Sequence, residues 1–181
     1  MNGKRRNLMN INDFDTDFAT YVSDEATQKK LGQVFTPYNI IEQMMDKAGL
    51  VSDKNSIWYD ETKTNLDPTM GAGNIIIGML YRRIVECGQN PVVALSNVYG
   101  VELDSKTLKY ARERIYKFMM AVEKNLNLKF TDEEWKRIRA IIFEGDGKKY
   151  PNFVESDIFK WNLNEWCPES EAQGAFGDFF E

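Results

Sequence analysis

Apolar and polar positions alternate in a repeating order between residues 57 and 157. A strand is expected to end at Leu66-Asp67, and IIIGMLYRRIV predicts a helix from about Ala72 to Glu86. A second strand is expected near Asn97 to Glu102. The helix after it carries Leu108, Ala111, Ile115, Phe118 and Val122 on one side. Thr131 and Glu134 form a capping box before a helix bearing Trp135, Ile138 and Ile142. A last strand is expected over Asn152 to Ser156. Strands alternating with helices predict an α/β fold, with a parallel sheet covered on its faces.

The flanks are less regular. Residues 13 to 30 predict one or two short polar helices. Thr36 can cap a helix whose first turn takes Pro37. Ile40, Ile41, Met44, Met45 and Ala48 then share a face, and Gly49 supplies the stop. The segment before Asp67, DETKTNL, is polar where a buried strand should be apolar, so the first strand is expected to be short or partly exposed.

Composition narrows the chemistry. The chain has 181 residues, enough for one domain with a sizeable core. Its net charge is -5, without the overall basic footprint of a domain that holds duplex DNA alone. With no histidine and two separated cysteines, Cys87 and Cys167, neither a zinc knuckle, a disulfide framework nor a histidine triad is expected, and no metal site is assigned. No apolar run is long enough to span a bilayer, and no hydrophobic stretch follows the basic MNGKRRN, so a cytoplasmic location is expected.

The chemistry concentrates at strand ends. LDPTMGAGN places Asp67, Gly71 and Gly73 at a turn into a helix, where backbone can approach a ligand or simply pack tightly. In NVYGVELD, Glu102 sits at a strand end and can accept both ribose hydroxyls. In NFVESDIFKW, Asp157 can accept from an adenine amino group, with Phe159 available to pack on the ring. Asp146, in FEGDG, is the second choice, because NFV is the more strand-like lead-in. There is neither a GxGxxG fingerprint nor a P-loop Lys-Ser pair. An adenosine lacking a polyphosphate fits, and S-adenosylmethionine is such a ligand.

LGQVFTP at Leu31 to Pro37, LDPTMGAGN, YGVELD and ESDIF together resemble the successive cofactor motifs of adenine-specific (N6) DNA methyltransferases. The resemblance runs from about Leu31 to Trp161. It implies a Rossmann-like class I methyltransferase fold and S-adenosylmethionine as cofactor, in a restriction-modification or phage setting. It assigns Phe35 to the pocket wall, Thr36 to the methionine carboxylate and Asp67 to the amino group. Gly71 and Gly73 would form the turn floor, Glu102 the ribose contact and Asp157 the adenine contact. The implied organisation is an N-terminal helical segment (1–34), a cofactor-binding domain (35–161) and an acidic aromatic tail (162–181).

The resemblance stops before the catalytic motif. The family's Asn or Asp, then Pro-Pro, then Tyr or Phe orients the adenine N6 and stacks the flipped base. None of the five prolines here is adjacent to another, and no apolar strand follows Trp161. No target-recognition domain is expected here either, and the sheet is expected to be incomplete on its C-terminal side, with an edge covered by the acidic tail or a partner. The catalytic residue is unknown, and the chain alone is not expected to methylate DNA. Two functions compete. One is the cofactor-binding part of an N6-adenine methyltransferase, completed by a second polypeptide through which it meets DNA. The other is an inactive methyltransferase-like chain that binds or inhibits a partner, as in anti-restriction or regulation. A third option, methylation of something other than a DNA base, would have only Asp60 and Asp146 as unassigned candidates.

Two surfaces remain open to a bland and a sharp reading. From Glu155 to Glu181 there are seven acidic residues, one lysine and six aromatics, fitting either a frayed end or an interaction segment. Lys106, Lys109, Arg112, Arg114 and Lys117 lie on one helix, and a solvated surface is favoured there over a DNA contact.

Overall fold

The computed structural model describes residues 9–15 and 36–172. The expected helices over 13 to 30 fall almost wholly outside the described residues, and Phe35 lies outside them as well. Only a 3-10 turn, Ile11–Asp13, belongs to the first segment, closed by a capping box between Asn10 and Asp13.

Three parallel strands form the sheet: β1 (Asn65–Asp67), β2 (Val98–Glu102) and β3 (Phe153–Glu155), in the order β1-β2-β3. Asp67 is level with Gly100, and Gly100 with Phe153, so the three strands end on one edge. This is an α/β arrangement compatible with a Rossmann-like fold. As its polar lead-in foretold, β1 has three residues. The segment around Trp58 forms turns, and Trp58 is buried with its indole N–H donating to the Met45 carbonyl.

Helix α1 (Tyr38–Ala48) starts one residue later than its sequence suggests. Pro37, extended at φ -65° and ψ 154°, takes the cap position, and no side chain caps the helix, so Thr36 is not its cap. Of the expected apolar face, Ile41 and Met45 are buried, while Ile40 and Met44 are exposed. The helix meets its neighbour through a narrow contact. A Cβ on Gly78 would lie 2.6 Å from Ile41 Cγ2, so only glycine permits this approach.

That neighbour, α2 (Asn74–Tyr81), widens into a π-type turn through Arg82–Glu86. Helix α3 (Pro91–Ser96) was not anticipated; Asn90 caps it through the Val92 and Val93 N–H groups, with Pro91 at the first position. Helix α4 (Ser105–Asn125) buries Leu108, Ala111, Ile115, Phe118 and Val122, the stripe expected from the sequence. Helix α5 (Asp132–Arg139), with a π-type continuation over Ala140–Glu144, opens on the expected Thr131–Glu134 capping box.

The strand residues alternate between two faces. Val98 and Phe153 join the large core built with the helices. Val101 and Val154 face a second, small core completed by Trp161, with Leu66, Tyr150, Ile158 and Trp166 packed around it. A hairpin of β4 (Trp161–Asn162) and β5 (Cys167–Pro168) supplies that cover. Trp166 donates its indole N–H to the Pro151 carbonyl at 2.7 Å and packs edge-on to Tyr99 at 4.7 Å. Residues 161 to 172 therefore fold back on the sheet, and the expectation of a frayed end does not hold for them. Among the described residues, no helix is long and apolar enough to cross a membrane.

Candidate functional site

A cavity of about 440 Å³ lies beyond the carboxyl ends of the three strands. Each strand delivers one acidic side chain to it: Asp67 from the end of β1, Glu102 from the end of β2 and Asp157 from just past β3. Thr36, Gly71 and Asn74 line the side next to α2, while Leu103, Ile158 and Phe159 lie on the other. Among the described residues, no lysine or arginine lines it.

The turn after β1 is held by local bonds. The Met70 N–H donates to the Val101 carbonyl, and the Gly73 N–H to the Met70 carbonyl. Gly71 (φ 51°) and Gly73 (φ 87°) both adopt left-handed backbone, which disfavours any side chain. Their surroundings differ. Gly71 lines the cavity, and a Cβ there would meet nothing within 4 Å. Gly73 is not part of the lining; a Cβ there would sit 3.5 Å from the Ala111 Cβ, so this glycine serves the turn and the packing of α2 on α4.

Glu102 is buried and braces the turn. Its Oε2 accepts from the Gly71 N–H at 2.8 Å, and its Oε1 from the Asp104 N–H at 2.9 Å. Each oxygen keeps a second lone pair, so two hydroxyl donors can still be received.

Asp67 is less well compensated. Its Oδ1 accepts from the Thr69 N–H at 3.1 Å, while Oδ2 is buried without a hydrogen-bond partner among the described residues. Burial pushes its carboxyl up to about 6; the Thr69 bond opposes this and the negative charge of Glu102 adds to it. A buried carboxylate oxygen without a donor is costly, and a cationic donor in the cavity would relieve that cost.

Asp157 sits at the rim, its Oδ1 receiving the Phe159 N–H at 3.1 Å in a tight turn. Phe159 follows with 91% of its surface exposed, and Leu103 with 60%. Two apolar side chains thus stand in solvent beside a cavity of carboxylates. A flat, partly apolar ligand with hydrogen-bond donors and positive charge suits this combination.

Of the seven sequence-assigned residues, Thr36, Asp67, Gly71, Glu102 and Asp157 line one cavity, Gly73 stands behind it, and Phe35 lies outside the described residues. Asp146 is bound by Arg137 at 3.0 Å and does not line the cavity; neither does Asp60, which is half-buried and accepts from the Thr62 N–H and hydroxyl. The sequence reading gave no role to Asn74. Its Nδ2 donates to the Thr36 carbonyl at 3.2 Å and its Oδ1 receives Arg114 at 2.6 Å. Arg114, expected on a solvated helix surface, is 2% exposed. Arg112 is half-buried and donates to the Phe153 carbonyl, leaving Lys106, Lys109 and Lys117 as the exposed cations of that set. No family model, curated protein or solved structure matches this chain.

Proposed function

We propose that this chain binds S-adenosylmethionine as the cofactor-binding part of an N6-adenine DNA methyltransferase, and that methyl transfer needs a second polypeptide. The supporting observation is the convergence of three carboxylates, one from each strand end, on a cavity that no cation lines among the described residues. That electrostatic character disfavours a polyphosphate and favours a ligand carrying both an ammonium and a sulfonium. Asp67 Oδ2, buried and unpartnered, suits the ammonium. The spare lone pairs of Glu102 suit the ribose hydroxyls, and Asp157 with Phe159 suits the adenine. In this reading the three-stranded parallel sheet is the cofactor-binding half of a class I methyltransferase fold.

No Pro-Pro pair follows β3 in this sequence, and the chain continues from β3 into the β4–β5 hairpin. In this reading the second polypeptide orients the adenine amine and supplies the contact to DNA. The test is photo-crosslinking of labelled S-adenosylmethionine to the purified chain. Labelling is expected to be abolished by excess S-adenosylhomocysteine and left unchanged by excess ATP. Equal competition by ATP would overturn the cofactor assignment.

A further inference from the structure

Arg114 lies behind the glycine turn, away from the cavity lining, and joins three stretches of chain. Its Nε donates to Asp15 Oδ2 at 2.8 Å, and Nη2 binds the same oxygen. Its Nη1 donates to the Ala72 carbonyl at 2.9 Å and to Asn74 Oδ1 at 2.6 Å. Asn74 in turn holds the Thr36 carbonyl. Arg114 is 2% exposed and Asp15 is 7% exposed. A guanidinium this deeply buried needs its carboxylate, because an unpaired buried charge is strongly destabilising.

The segment that supplies Asp15 is itself well docked. Ile11 and Phe14 are buried in the main core, with Phe14 edge-on to Tyr81 at 5.6 Å. Tyr81 donates its hydroxyl to the Met9 carbonyl at 2.6 Å, and Asn125 donates to the Asp13 carbonyl at 2.7 Å. The segment thus spans α2 and α4, and its last described residue delivers charge to the back of the turn.

From this geometry we infer that Arg114 is a positioning residue through which the docked 9–15 segment sets the shape of the cavity wall. When Asp15 is in place, the guanidinium is fixed and presents Nη1 to Ala72 and Asn74. The turn and Thr36 are then held in one arrangement. When Asp15 is replaced, Nε and Nη2 lose their carboxylate acceptor, and the hold of Nη1 on the Ala72 carbonyl and Asn74 Oδ1 loosens. The coupling is reciprocal, so a ligand that orders the turn also tightens the docking of the segment. The ligand part of this inference rests on the cofactor assignment above; the coupling itself does not.

Amide hydrogen exchange on the full chain decides it, read at residues 71 to 75 in Asp15→Asn. Ile138→Ala, which opens a cavity under α5, serves as the control for general destabilisation. The expected result is exchange at the turn at least about ten-fold faster in Asp15→Asn than in the control, after correction for global stability. Asp15→Glu is expected to restore slow exchange. Equal rates at the turn in Asp15→Asn and the control would overturn the coupling. Should Asp15→Asn fail to fold, Asn125→Ala frees the Asp13 carbonyl at the surface and is read against the same control in the same way. In titrations with S-adenosylmethionine, the loosened variant is expected to bind about ten-fold more weakly. Wild-type affinity in a variant with a loosened turn would overturn the claim that the coupling shapes the cavity. If wild type does not bind at all, the cofactor assignment falls while the exchange result still decides the coupling.

Discussion

The two faces of the sheet are covered by different means. Val98 and Phe153 look into a helical layer, where Ile76, Leu80, Ile115 and Phe118 are almost completely buried. Val101 and Val154 look into a thin aromatic cover made by Trp161, Trp166 and Tyr150. The helical layer contains buried guanidinium groups held by several acceptors. Arg83, for example, is received by Asn65, Gln89 and the Lys63 carbonyl. The hairpin side is held by edge-to-face rings, the Trp166–Pro151 bond and the exposed contacts of Glu171 with Lys149 and Tyr150. The cavity inherits this asymmetry. Its Asp67–Gly71–Asn74 wall is tied to the helices, while its Ser156–Phe159 wall continues directly into the hairpin.

The difference implies that helical-side substitutions unfold the chain, whereas hairpin-side substitutions loosen one wall. The largest effect is expected for Phe118→Ala, at about 3–5 kcal/mol of stability by urea denaturation. A smaller loss would mean that the helical core is less closely packed than its burial suggests.

Next is the pH dependence centred on Asp67. Its folded-state pKa is raised from 3.8 to about 6, so its neutral form is favoured by folding. Its contribution is fully present below about pH 4 and is lost as pH rises through about 6. The size corresponds to roughly 3 kcal/mol. Asp67→Asn is expected to remove this fall in stability between pH 4 and 7, and urea midpoints across that range check it.

On the hairpin side, Trp166→Ala is expected to cost roughly 1–3 kcal/mol, since the ring is only partly buried and one hydrogen bond is lost. Exchange should rise at residues 156 to 159 while those of α2 and α4 stay slow. If α2 and α4 also open, the two faces form one cooperative unit and the contrast fails. The smallest effect is assigned to the edge of the helical layer. Thr131→Ala removes the cap of α5 and should cost about 1 kcal/mol, read as a shift in urea midpoint.

Much of the frame was legible because it rests on local rules. The α4 stripe follows from helical spacing, the α5 start from its capping box, and the strand ends from LDPTMGAGN and YGVELD. The hairpin was missed because its acidic surroundings hid two tryptophans that pack on the sheet. Helix α3 was missed although Asn90-Pro91 is a sound start signal, because six residues give too little periodicity. Arg114 is the most instructive case. It lies three residues after Ala111 and directly before Ile115, on the buried side of α4, yet an arginine there reads as solvent-facing. Its burial depends on Asp15, ninety-nine residues away, and no local pattern announces that pairing.

The central claim is that the three strand-end carboxylates form a working S-adenosylmethionine site. Calorimetric titration of the folded chain at pH 7.5, beside Asp67→Ala and Glu102→Ala, tests it most directly. The account predicts saturable, one-to-one binding by wild type that both substitutions weaken at least about ten-fold, the size of one lost charge-assisted contact. A folded wild-type chain that takes up no S-adenosylmethionine, or variants that bind it as tightly as wild type, would contradict it.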